Sequence, residues 1–193
     1  MPGGGRHHAP ARIVNGSYVE SMWYVGRSSQ VSRLIDLAGL SAPVDGRQSA
    51  NATAIAIGTR RLLAGRGLAS VTELTLASGR RADIIALGSD GCIWIVEIKS
   101  SVADFRADAK WPAYRDYCDR LYFAVAPDFP TEILPAETGL ILADGFGADL
   151  AREAPEHKLA GARRRAVMLR FAHVAAGRLH ALVDPSGAYG WMD

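Results

Sequence analysis

The chain has 193 residues, 49% of them hydrophobic and 22% charged, with a formal net charge of +2. This is ordinary globular usage at a length that buries a real core, and no apolar run reaches a membrane span. No leading segment has the basic start, apolar stretch and small-residue cleavage site of a signal peptide, and the two cysteines, Cys92 and Cys118, lack metal spacing. The expectation is a single cytoplasmic domain with reduced thiols and no zinc site.

In chain order, residues 1–48 read as a poorly structured extension. Met1-Pro2-Gly3-Gly4-Gly5 is poor in structure-forming residues, Val31 to Leu40 has the pattern of a short helix, and the segment is either a disordered extension or an over-long reading of the start codon. No chemistry is expected there, His7-His8 included. From Ser49 the pattern sharpens. Ser49 or Asn51 caps a helix running to about Gly65, with Ile55, Leu62 and Leu63 toward the core and Gly65 and Gly67 ending it. Ala69 to Leu76 alternates as a strand, and Ser78-Gly79 turns the chain into the first of two apolar strands that flank Ser89-Asp90-Gly91. Both are apolar on both faces and belong in the middle of a covered sheet.

Ser101 then caps a short helical turn, Pro112 opens a second helix ending near Asp119, and Leu121 to Ala126 is a strand stopped by Pro127. Thr138 to Ala143 and Gly147 to Arg152 read as strands around Asp144-Gly145. Ala162 to about Leu182 reads as an amphipathic helix whose Val167, Leu169, Phe171 and Val174 pack on the sheet. No repeat or linker divides residues 49–182, which form the domain, with 183–193 as a tail. The predicted fold is α/β (mixed α+β): a mixed central sheet in αβββαβ order, flanked by helices, with a C-terminal amphipathic helix.

The chemistry concentrates where Arg80-Arg81-Ala82-Asp83 leads into one apolar strand and Glu97-Ile98-Lys99-Ser100 closes the next. Charges at the ends of buried strands are costly unless something pairs them, and a divalent cation is the most economical partner for two carboxylates and a lysine. With Ser89-Asp90-Gly91 as a three-residue loop and Gly91 supplying the positive φ, the numbers of opposed residues sum to 180. Asp83 then faces Glu97, with Cβ atoms about 4.5–5.5 Å apart on one face, and Lys99 projects from that face too. A slip of one residue would swing Asp83 to the other side. Ile98 points away and offers its backbone carbonyl. Two carboxylates and a carbonyl suit Mg²⁺ or Mn²⁺, with water completing the shell. The alternative is a surface ion pair of Glu97 with Lys99 beside a solvated Asp83. Among the basic clusters, Arg60-Arg61 and Arg163-Arg164-Arg165 read as solvated surface, and Arg80-Arg81 as functional because they adjoin Asp83.

The element order, with the acid on the second strand and Glu-x-Lys on the third, resembles the core of the PD-(D/E)XK, or restriction-endonuclease-like, nuclease superfamily over about residues 49–126. Within it, four blocks are similar to the MmcB family of bacterial DNA repair proteins. They are Arg80-Arg81-Ala82-Asp83, Trp94 to Ser101, Asp104-Phe105-Arg106-Ala107-Asp108, and Lys110 to Asp119. That closer similarity runs from about Asp45 to about Ala175.

The resemblance implies Asp83 and Glu97 as metal ligands, the Ile98 carbonyl as a third, and Lys99 as the group that positions or helps activate water and stabilises charge on the phosphate. Lys110 and Tyr114 match the spacing of the Gln-x-x-x-Tyr element of RecB-like nucleases, with Lys replacing Gln. Arg80, Arg81 and Trp111 join them as expected nucleic-acid contacts. Trp111, Tyr114 and Tyr117 either stack on unpaired bases or pack in the core, the core being the preferred reading for Tyr117. Asp104 and Asp108 either support Lys99 or Arg81 or favour a helix N-terminus.

Two departures stand out. Ala82 sits where the nominal signature has Pro, and the helix from 49 to 66 lacks the glutamate that many members carry. Glu73 is the nearest replacement, or a solvated strand residue. The implied activity is a DNA repair nuclease that hydrolyses phosphodiester bonds with water activated by Mg²⁺ (or Mn²⁺). The alternative is a non-catalytic DNA-binding or adaptor subunit of a repair complex. Expected partners are DNA and other bacterial repair proteins, with no membrane, in a cytoplasmic and nucleoid-associated setting.

Overall fold

Ser49 starts the described part of the chain, which spans residues 49–184 of the computed structural model. The expectations for residues 1–48 and for the tail past Asp184 lie outside the described residues. The Ser49 hydroxyl accepts the Ala52 N–H at 3.2 Å and caps α1 (Ala50–Gly65). There follow β1 (Ala69–Thr75), β2 (Arg81–Leu87), β3 (Ile93–Lys99), α2 (Val102–Ala107), a 3-10 stretch (Trp111–Tyr117), β4 (Arg120–Val125), β5 (Gly139–Ala143), β6 (Ala148–Arg152) and α3 (Gly161–Val183). The predicted helix at Pro112 takes the tighter 3-10 form. It is seven residues long and no side chain caps its start, and short runs of this kind favour i→i+3 bonding.

The six strands form one mixed sheet in the order β1-β2-β3-β4-β5-β6. The β1–β2, β2–β3 and β5–β6 pairs are antiparallel, and β3–β4 and β4–β5 are parallel. Register across the central hairpin runs Ile84↔Val96, Ile85↔Ile95, Ala86↔Trp94 and Leu87↔Ile93, the pairing expected of the three-residue loop; Gly91 has φ 81°. Helix α1 covers one face through Ile55 and Leu63, which pack with Ile84, Val96, Tyr122 and Ile141. The 3-10 stretch and α3 cover the other, where Tyr114, Cys118, Val167 and Phe171 pack with Ile85, Ile93, Ile95 and Leu121. All seven residues of β3 are buried, the charged Glu97 and Lys99 included, and the first four, Ile93 to Val96, read as a continuous apolar run. Lys99 lies level with Val125, and Val125 with Leu142, so the C-terminal ends of β3, β4 and β5 emerge along one edge of the sheet.

Two expectations for α3 change. Val167 and Phe171 are buried, but Leu169 is 61% exposed. The sheet-facing stripe advances by three and four residues (167, 171, 174, 178), and 169 falls about 200° from 167 around the helix. As a continuous helix, α3 is also long and apolar enough by length and composition to cross a membrane, with mean hydropathy 1.2 over eighteen residues. Its Arg178 nonetheless reaches the sheet, donating to the Thr72 carbonyl at 2.7 Å.

Each of the two arginine clusters read as solvated commits one side chain to the fold, Arg61 while remaining exposed. Arg61 donates to the carbonyls of Gly145 and Phe146. Arg164 grips Asp119 with both terminal nitrogens at 2.6 Å and reaches the Gly91 carbonyl at 2.7 Å. Asp119 is buried and also accepts the Ile93 N–H at 2.8 Å, so one fork-shaped bond joins α3, the β3 hairpin and the start of β4. Burial alone would raise the Asp119 carboxyl, but Arg164 and the Ile93 N–H hold it below the ordinary carboxylate value. Arg164→Met strands that buried charge and is expected to cost about 2–3 kcal/mol. A carboxyl depressed on folding gives stability above its unfolded pKa and loses it in acid. Urea denaturation of the two proteins should therefore differ most at neutral pH and converge below about pH 4.

Candidate metal and nucleic-acid site

The β2–β3 ladder stops at Ile84↔Val96. One step on, where Asp83 and Glu97 would pair, carboxylates take over from carbonyls. The Ile98 N–H donates to Asp83 Oδ2 at 2.8 Å, and the Asp83 N–H donates to Glu97 Oε1 at 3.4 Å. Each acid thus satisfies backbone belonging to the other strand. Asp83, Glu97, Ile98 and Lys99 all line one open cleft of about 760 Å³ at the strand-end edge of the sheet, together with Arg80, Arg81, Asp108, Lys110 and Tyr114.

Glu97 is 3% exposed and Lys99 5% exposed. Burial is the main cause of a raised Asp83 carboxyl, to about 6, with the charge of Glu73 adding to it and the Ile98 N–H and Lys99 opposing it. Burial, then the charge of Asp83, pushes Glu97 up to about 9 against the pull of Lys99. Two acids whose ionisation is opposed by burial, and for Glu97 by the charge of Asp83 as well, form a site that a cation stabilises. The donor set, two carboxylates beside the Ile98 carbonyl, is made of hard oxygens and fits Mg²⁺ or Mn²⁺.

Lys99 does not bond to either acid. Its Nζ donates to Asp108 Oδ2 at 2.6 Å. Burial would lower the Lys99 pKa, but Asp108 and the charge of Glu97 reverse the sign and raise it. Asp108 is correspondingly lowered, burial being outweighed by the Lys99 bond, so the pair is charged. Asp108 also accepts the Lys110 N–H at 2.9 Å. Of the two readings of this acidic pair, support of Lys99 therefore applies to Asp108. Asp104 instead closes the entry to α2: it accepts the Ser100 N–H at 3.0 Å, while Ser101 caps its own N–H.

The remaining expected residues divide. Glu73 is ion-paired with Arg81 and adopts a left-handed φ of 54°, unusual for a residue with a side chain. Arg80 and Lys110 stand on the cleft wall, Lys110 exposed. Tyr114 is 7% exposed, and its hydroxyl donates to the Arg81 carbonyl at 2.9 Å. Burial, then the charges of Glu97 and Asp83, raises its pKa. Tyr114 thus braces the mouth rather than opening a ring to solvent. Trp111 lies off the cleft, packed edge-on to Phe123 at 5.6 Å with the Arg115 guanidinium over its ring. Tyr117, expected in the core, packs against it on one side and carries Arg163 over its ring. Among the described residues, no three His, Cys, Asp or Glu side chains gather into a metal cluster.

Comparison with known proteins fits these blocks. The DNA repair protein MmcB-like family matches residues 40–186. The chain belongs to the MmcB-like family of DNA repair proteins. It is also similar to a solved protein of unknown function from Silicibacter pomeroyi, with 47% identity and a TM-score of 0.71, over 76% of this chain and 99% of that one. No curated protein matches it.

The raised acids set a pH dependence. The folded state of this MmcB-like protein holds protons that the unfolded chain releases between about pH 4 and pH 9. In the absence of divalent cations, stability contributed by the pair is greatest at low pH and falls as pH climbs through that window. Glu97→Gln, which keeps a neutral group there, should flatten the decline and be the more stable protein at pH 9. Chemical denaturation in EDTA at pH 5, 7 and 9 measures both slopes.

Proposed function

We propose that this protein is a divalent-metal-dependent deoxyribonuclease of the PD-(D/E)XK type that cleaves DNA during repair. The observation that carries the reading is the interlocked pair of carboxylates, half-buried Asp83 and buried Glu97, lining an open cleft with a charged lysine beside them. Asp83, Glu97 and the Ile98 carbonyl would hold Mg²⁺ or Mn²⁺. When bound, such an ion supplies water of lowered pKa and positive charge next to the phosphate. Lys99, kept charged and aimed by Asp108, adds a second positive group where charge develops on the phosphate. Arg80 and Lys110 at the cleft wall meet the flanking phosphates, contacts that position a strand without reading its sequence.

A cleavage screen over single-stranded, duplex, flap, fork and abasic DNA with Mg²⁺ or Mn²⁺ tests the proposal. Asp83→Ala, Glu97→Ala and Lys99→Ala should each lower cleavage at least about a hundredfold, the scale of one lost electrostatic or proton-transfer group. Asp108→Asn should slow it less. Cleavage that survives all three alanine substitutions would sink the site assignment.

A second reading has its own support: α1 carries no acidic residue, and among the described residues the ladder end joins two carboxylates, Asp83 and Glu97. On that reading the protein is a DNA-binding adaptor that retains the fold without the chemistry. Calorimetry separates the two. Absence of Mn²⁺ binding, with DNA binding intact, would favour the adaptor.

A further inference from the structure

Phe146 is 88% exposed, more than any other large apolar side chain among the described residues. It stands at the tip of the β5–β6 hairpin, and its backbone is fixed from three directions. Asp144 Oδ1 accepts the N–H groups of Phe146 and Gly147 at 2.7 and 2.9 Å, while the Asp144 N–H donates to the Gly147 carbonyl at 3.0 Å. Arg61, from α1, donates to the carbonyls of Gly145 and Phe146 at 2.9 and 2.7 Å. Gly58 brings α1 against the hairpin so closely that a Cβ there would collide with the carbonyls of Asp144 and Gly147. A tip braced this way holds an aromatic ring out in water.

The tip shares the edge of the sheet that carries the acidic cleft. β3, β4 and β5 end together, and Asp144 follows directly on β5. With strands about 4.8 Å apart, Phe146 lies on the order of 15 Å from Lys99, the length of about four stacked nucleotides. Helix α1 links the two: Ser49 and Ala52 at its start line the cleft, Asn51 donates to the Ser100 carbonyl at 2.9 Å, and Gly58 and Arg61 further along hold the hairpin. Trp111 and Tyr114, the aromatic residues expected to meet DNA, do not offer an open ring, because Trp111 packs on Phe123 and the Tyr114 hydroxyl is committed to Arg81. The Asp144 carboxylate is occupied by backbone donors, with Arg61 beside it.

We propose that Phe146 is a base-stacking wedge, which engages an unpaired base of a DNA strand whose backbone runs into the Asp83–Glu97 cleft. The substrate class is then DNA with a single-stranded or distorted segment, since the bases of an intact duplex offer a ring no open face. The inference rests on the deoxyribonuclease reading above for the strand's path.

Binding of the full chain to single-stranded, forked and blunt duplex DNA, in EDTA so that no strand is cut, tests it. Phe146→Ala should weaken binding to single-stranded and forked DNA about fivefold or more, the usual worth of one base stacked on an aromatic ring, and leave duplex binding unchanged. Phe146→Trp should restore affinity, and its indole fluorescence should be quenched by single strands. Unfolding of both variants at the wild-type temperature shows that the fold is intact. Equal affinity of Phe146→Ala and wild type for forked DNA would overturn the wedge alone. Equal loss on duplex and fork would overturn it as well, by removing the preference. A wild-type protein that neither binds DNA in EDTA nor cleaves it with Mg²⁺ or Mn²⁺ would remove the cleft reading along with it.

Discussion

Two carboxylates substitute for two rungs of a β-ladder. At the point where β2 and β3 stop pairing, Asp83 accepts the Ile98 N–H and Glu97 accepts the Asp83 N–H. Backbone donors that would otherwise lie unpaired near the core are satisfied, but the acceptors bring charge into a place that disfavours it. Replacing either acid with a methyl group thus removes a charge and also orphans an N–H group. The tension is resolved in three ways, through protonation, through Lys99 beside the pair, or through a bound cation. The first two are visible in the raised carboxyls and in the charge of Lys99 acting on both.

The rest of the fold serves that edge. The switch from antiparallel to parallel pairing at β3–β4 lets three strands deliver their C-terminal ends to the same side. α2 and the 3-10 stretch leave from there, carrying Asp108, Lys110 and Tyr114 back over the cleft. The opposite edge is tied by the Arg164–Asp119 fork, which fixes the Gly91 turn and so the register of the hairpin. A slip at that turn would move Asp83 to the α1 side of the sheet, so a structural ion pair at one edge guards the geometry of the acidic pair at the other.

Much of this was legible from residue order. The strands around Ser89-Asp90-Gly91 are short, apolar and joined by a loop whose length dictates register, so the Asp83–Glu97 juxtaposition followed from counting. The Ser49 cap and the strand at Leu121 were equally local signals. What stayed hidden depends on distant partners. Arg164 and Asp119 are 45 residues apart, and nothing near Arg164 distinguishes it from Arg165 until α3 docks. Leu169 looks like a core residue until the helix phase is set by Val167 and Phe171. Trp111 is expected at the site from its neighbours in sequence, yet Phe123, on β4, draws it away. Phe146 carries a faint local signal, a lone large apolar residue between Gly145 and Gly147 after an aspartate, but only the docking of α1 shows the tip to be braced.

The central claim is that the ladder end between Asp83 and Glu97 is a cation site. Crystals soaked in Mn²⁺ and measured for anomalous scattering address it most directly. The account predicts one strong peak about 2.0–2.3 Å from an oxygen of each carboxylate and near the Ile98 carbonyl, lost in Glu97→Gln. Mn²⁺ bound elsewhere, with the two acids still exchanging backbone hydrogen bonds and no peak between them, would contradict it.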